Sequence, residues 1–124
     1  MFKFFKSLFV KSVPNTFKMG DKVYVVTRRD LSPGYQAVQS VHAMNTFSHE
    51  HSKVETAWFN QSSFLALLTV ADECELKSLM NLASEKKIIF SKYTEPDLNN
   101  EVTAVAFSPE AGAICKKLPL TLKK

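Results

Sequence analysis

The chain has 124 residues, of which 45% are hydrophobic and 23% charged, with only 3 glycines. This suits one domain with one modest core and excludes a disordered or collagen-like polymer. The formal net charge of +4 sits in the first twenty residues, where Lys3, Lys6, Lys11 and Lys18 meet no acid; the formally neutral remainder is not a bulk nucleic-acid binder, and phosphate affinity must come from local clusters.

Residues 1–20, M-F-K-F-F-K-S-L-F-V-K-S-V at their start, read as a basic, aromatic extension outside the domain. A membrane-surface or targeting segment is the sharper reading of the same residues. They lack the small-residue cleavage site of a secretory signal, and no apolar run nears the roughly 20 residues needed to cross a bilayer. Residues 21–124 form the domain.

Its first strand is Lys22 to Thr27, centred on Val23-Tyr24-Val25-Val26. A loop from Arg28 to Gly34 follows. Ser32 before Pro33 gives a cap-then-proline helix start, and the helix runs to about His51. Ala37, Val38, Val41, Met44 and Phe47 fall at helical spacing and read as its core stripe. Lys53 to Ser62 reads as a connection anchored by Trp58 and Phe59. Phe64 to Val70 is continuously apolar, as for a strand buried on both faces. Asp72 and Glu75 form an acidic capping box for a helix through Leu76, Leu79, Met80 and Leu82. Ile88-Ile89-Phe90 is the third strand, followed by a polar stretch from Ser91 to Asn100. Val102 to Phe107 is the fourth. Ser108-Pro109-Glu110 opens a short last helix with Ala111, Ile114 and Cys115 facing in, and Leu118, Leu120 and Leu122 alternate as in an edge segment. The order β-α-β-α-β-β-α predicts an α/β fold, a mixed four-stranded sheet flanked by helices on both faces.

The chemistry gathers around Thr27–Ala43. Arg28, Arg29 and Asp30 stand where a buried strand ends and a helix begins, the usual ligand crevice of an open α/β sheet. Two guanidinium groups there suit phosphates, with the carboxylate orienting one of them; a solvated loop with local charge pairing is the competing reading. Gln39 and His42 share a helix face, and His42 suits a general base or a hydrogen-bond donor, although a lone histidine at a core edge is more often structural. Lys92, Thr94, Glu95, Asp97 and Glu101 form a polar cluster between strands three and four, either acid–base and substrate-binding groups or an acidic hairpin loop. His49 and His51 are two apart and point apart on a helix, so no metal site is expected. Cys74 and Cys115 carry no zinc spacing or disulfide framework and read as structural thiols in a reducing compartment.

These residues resemble the type 2 peptidyl-tRNA hydrolases. Val25-Val26-Thr27-Arg28-Arg29-Asp30-Leu31, then Pro33-Gly34, then Ala37-Val38-Gln39-Ser40-Val41-His42-Ala43 is similar to that family's V-V-R-T-D-L strand end, glycine turn and A-A-Q-x-x-H-A helix. Asp72-Glu73-Cys74-Glu75-Leu76 and Thr103 to Pro109 follow its later pattern. The resemblance implies a mixed four-stranded sheet, a cytoplasmic role in translation, tRNA as partner, no cofactor or metal, often a homodimer, and cleavage of the ester between a peptide and the 3′ end of tRNA. Asp30, Gln39 and His42 carry over position by position. The family's lysine-rich turn is here Ser32-Pro33-Gly34-Tyr35-Gln36, and its D-A-G-R-T-Q is Ser91-Lys92-Tyr93-Thr94-Glu95-Pro96. Glu95 or Asp97 is expected to replace the missing acid and Arg28 or Arg29 the missing cation. The expected catalytic set is Asp30, Gln39, His42 and Glu95, with Arg28, Arg29, Lys92 and Thr94 holding substrate. The alternative is the same scaffold as a binding module for a tRNA end, a nucleotide or a protein partner.

Overall fold

A computed structural model describes residues 17–123. Most of the 1–20 extension lies outside the described residues. The elements are β1 (Lys22–Arg28), α1 (Pro33–Glu50), α2 (Ser52–Gln61), β2 (Phe64–Val70), α3 (Glu73–Glu85), β3 (Phe90–Glu95), β4 (Glu101–Phe107) and α4 (Gly112–Cys115). The sheet order is β2-β1-β4-β3, with β1 parallel to β2 and β4 antiparallel to both β1 and β3. This is the expected mixed four-stranded α/β sheet.

Strand alternation divides the core in two. Val23, Val25, Ala104 and Ala106 face Ala43 and Phe47 of α1 and Val54 and Trp58 of α2. Val26, Val105 and Phe107 face Leu76, Leu79 and Ala83 of α3 and Cys115 of α4. Each fully buried large side chain, Phe47 or Leu76 for example, contributes about 1.5–3 kcal/mol. The capping box forms: Asp72 accepts from the Glu75 N–H at 3.0 Å, and Glu75 accepts from the Ala71 N–H at 2.7 Å.

Five local expectations are corrected. The stretch from Lys53 is helix α2, not a connection, because Val54 and Trp58 at i,i+4 bury together while Phe59 stays exposed. The third strand begins at Phe90 and takes in the polar residues to Glu95, since Lys87 (φ 59) turns the chain and the Ile88 N–H caps α3 at the Ala83 carbonyl. β2 is not buried on both faces: it is an edge strand, with Leu65 and Leu67 exposed. The C-terminal segment pairs only its later half, through Thr69 N–H to the Pro119 carbonyl and Thr121 N–H to the Leu67 carbonyl.

The last correction matters most. Only the end of the α1 apolar stripe faces the core: Phe47 is buried and Met44 packs against the cluster, but Ala37, Val38 and Val41 are exposed. Val38 and Val41 are 52% and 68% exposed, while Gln36, Gln39, Ser40, Ala43 and Phe47 are buried. A polar face can pack inward only if its groups find partners inside. Ser40 donates to the Gln36 carbonyl and Gln36 to the Leu31 carbonyl. Gln39 is satisfied by the sheet.

Candidate active site

That satisfaction comes from an irregularity in β4. Tyr93 pairs with Ala104 but Thr94 pairs with Val102, so Thr103 has no partner across the ladder. The extra residue of such a bulge re-aims its side chain, and the Thr103 hydroxyl turns toward α1, donating to Gln39 Oε1 at 2.5 Å. This fixes the amide so that Gln39 Nε2 donates to Glu95 Oε1 at 2.9 Å. The other carboxylate oxygen, Oε2, accepts the Asp97 N–H at 3.2 Å, where Glu95 caps the short 3-10 turn Pro96–Leu98. Behind them the Thr27 hydroxyl donates to the Thr103 carbonyl at 2.8 Å. The amide orientation is forced, because a carboxylate only accepts. Thr103 and Gln39 are 0% and 1% exposed, so the chain of bonds is held away from water.

The Asp97 N–H and the Gln39 amide hold the Glu95 carboxyl below its ordinary range, and the nearby imidazole of His42 adds to this. Both bonds favour the charged form. His42 is half-buried and stacks on Tyr93, with ring centroids 4.4 Å apart and planes 12° from parallel. Burial and the neighbouring Glu95 and Asp97 push the Tyr35 hydroxyl up, so it stays protonated as a donor. His42, Gln39, Glu95, Tyr93 and Tyr35 are thus one group, at the flank of α1 that meets the end of β3 and the start of β4.

Arg28 stands elsewhere. Alternation sends it to the α3 face, away from Thr27. Its guanidinium is 6% exposed for the residue as a whole and makes four bonds: two parallel ones to Asp30 at 3.0 and 2.9 Å, one to Glu101 at 2.8 Å and one to the Val102 carbonyl at 3.0 Å. Asp30, in turn, is held below its usual carboxylate range by Arg28. Four of the five donors are therefore committed inside the protein. Arg28 ties the end of β1 to the start of β4, and Asp30 is its clamp.

The structure thus gathers Gln39, His42 and Glu95 and does not bring Asp30 or Arg28 to them. Arg29 is exposed, with Nη1 only loosely placed against Thr69 at 3.3 and 3.4 Å. It faces an open cleft of about 250 Å³ with Gln36, Thr69 and Lys123. Lys92 is exposed on β3 and Thr94 half-buried beside the bulge. Sequence reasoning missed Thr103, Tyr93 and Tyr35 as parts of the group. A hydroxyl in the middle of the otherwise apolar Val102–Phe107 run was the available signal for Thr103.

A family model described as peptidyl-tRNA hydrolase PTH2 matches residues 21–124. No curated protein matches the sequence. Among solved structures, a protein of unknown function, Atu0240 from Agrobacterium tumefaciens strain C58, superposes with a TM-score of 0.58 at 17% identity, covering 82% of this chain and 98% of that one. At that identity the likeness concerns the fold.

Proposed function

As the chain belongs to the peptidyl-tRNA hydrolase PTH2 family, we propose that it hydrolyses the ester between a peptide and the 3′ end of tRNA. The observation that carries this reading is the Glu95 carboxylate, fixed by Gln39 and the Asp97 N–H beside the Tyr93-stacked His42. His42 takes a proton from water as that water attacks the ester carbonyl. The Glu95 charge stabilises the imidazolium that results, and Gln39 and Thr103 keep the carboxylate in place. The Tyr35 hydroxyl donates to the developing oxyanion. Collapse of the tetrahedral adduct breaks the bond to the ribose oxygen, which receives the proton from His42. The products are a peptide carboxylate and a tRNA with a free 3′ end. Arg29 and Lys92, both exposed, contact phosphates, while Arg28 and Asp30 hold the strand end that presents Arg29. Thr94 lines the approach to Glu95.

Peptidyl-tRNA hydrolysis by wild type, His42→Ala, Glu95→Gln and Arg29→Ala tests this, with folding followed by circular dichroism. His42→Ala and Glu95→Gln lower turnover by about 10²-fold or more, and Arg29→Ala chiefly raises KM. No peptide release by wild type, under conditions where an authentic hydrolase is active, overturns the reading. The lysine-free turn Ser32–Gln36 and the commitment of Arg28 to internal partners favour one second reading, a tRNA-end binding module without turnover. Its signature is RNA retention that weakens with salt.

A further inference from the structure

The exposed stripe of α1 and the uncovered face of β2 form a single groove. Val41, Met44 and Ala37 line it from α1, Leu65 and Leu67 from β2, and Leu122 from the C-terminal segment, around about 440 Å³. No charged side chain lines it. Leu65 and Leu67 are 51% and 42% exposed, and beside them the edge of β2 from Phe64 to Ala66 has no strand partner among the described residues. Contiguous apolar surface of this kind marks a seat for another segment. The groove lies on the β2 flank of α1, and His42 stacks on β3 at the other flank, so the groove is not part of the site above.

We propose that this groove is the docking site of the chain's own residues 1–16, the phenylalanine-rich segment outside the described residues. Three observations point to this occupant. First, the described chain begins against the same core: Phe17 is buried in one cluster with Val25, and Val25 lines the groove. Second, the segment has the right chemistry: Phe2, Phe4, Phe5, Leu8, Phe9, Val10 and Val13 offer apolar side chains to an uncharged lining, and Lys3, Lys6 and Lys11 are long enough to keep their charges in solvent. Third, reach is ample, since sixteen residues extend to about 50 Å whereas the groove runs alongside one helix. Tethering makes docking intramolecular, with an effective concentration in the millimolar range, so modest intrinsic affinity suffices.

The test uses the full chain, deuterated except for phenylalanine rings and Leu and Val methyl groups. Contacts between ring and methyl protons are recorded by NMR for wild type and for the triple variant Phe4→Ser, Phe5→Ser, Phe9→Ser. Docking predicts ring contacts to the methyls of Val41, Leu65 and Leu67 that the variant loses. A second sample mixes chains labelled only in the rings with chains labelled only in the methyls. Docking within one chain predicts that the same contacts vanish there. Contacts that persist in the mixture place a second copy in the groove and overturn the proposal. So do contacts unchanged in the variant, or groove methyls that meet no phenylalanine of the segment. Groove contacts that appear only on adding a peptide of residues 1–16 in excess, and not in the full chain alone, also overturn it.

Discussion

Thr103→Val is the sharpest test of how Glu95 is held. Valine nearly reproduces the shape of threonine, so no cavity opens, and only the hydroxyl is lost. Thr103 is fully buried and its hydroxyl donates to Gln39 Oε1 at 2.5 Å. The substitution leaves that buried carbonyl oxygen without its donor, a cost of about 1–3 kcal/mol. A central value of about 2 kcal/mol lowers the thermal midpoint by about 8 °C in a domain of this size. Urea unfolding reads the change as a lower midpoint at constant slope. Turnover falls about 10- to 100-fold, because the Gln39 amide can then rotate away from Glu95. Gln39→Leu breaks the same link from the other side and also removes a donor from Glu95. The double variant Gln39→Leu/Thr103→Val is less unstable than the two single losses predict, by about 1 kcal/mol or more, since replacing both partners by apolar groups leaves no orphan between them. A Thr103→Val protein within about 0.5 kcal/mol of wild type, with undiminished turnover, refutes the reasoning.

Three further outcomes follow from the same structure. Arg28→Met keeps the aliphatic stem but orphans the Val102 carbonyl and frees the half-exposed Asp30 and Glu101 to water, so it destabilises by about 2–3 kcal/mol in urea unfolding; a loss under about 0.5 kcal/mol would show the clamp to be ornamental. Asp30, Glu73 and Glu95 are all held below the ordinary carboxylate range, by Arg28, the Val102 N–H and the Asp97 N–H respectively. Groups depressed in the fold contribute stability that is present above their unfolded values of about 4 and is lost as pH falls through the lower folded values. Unfolding free energy should therefore drop below about pH 4, and a rise on acidification from pH 5 to 3 would contradict this. Burial pushes the Cys115 thiol up to about 12, whereas Cys74 is exposed. Iodoacetamide at pH 8 should label Cys74 and reach Cys115 only on unfolding, as peptide mass spectrometry can verify.

Much of the fold was legible because its signals are local. Val23–Val26, the Asp72–Glu75 box and the Ser32-Pro33 start declare their elements without tertiary help. The helix from Ser52 was missed because Val54 and Trp58 alone carry its inward face, too few positions to show a period. The site was half legible. Gln39, His42 and Glu95 stood out by residue type, but their convergence depends on a one-residue bulge that no composition announces. The error over α1 has the same origin. Val38 and Val41 have helical spacing, and apolar spacing normally wins; here Thr103 and Glu95 supplied partners that let the glutamine face turn inward. The bond of Arg28 to Glu101, 73 residues away, could not be read from its neighbourhood.

Because α1 is seated by bonds with fixed direction, its docking is also a matter of timing. Gln39 meets Glu95 and Thr103 across 56 and 64 residues of sequence. Closing loops of that length is an entropic cost borne before the bonds repay it. Hydrogen bonds of this kind tolerate little slippage, so their formation depends on the β3–β4 hairpin and its bulge. A helix that locks after the sheet predicts that weakening this seat speeds unfolding while leaving the folding rate nearly untouched.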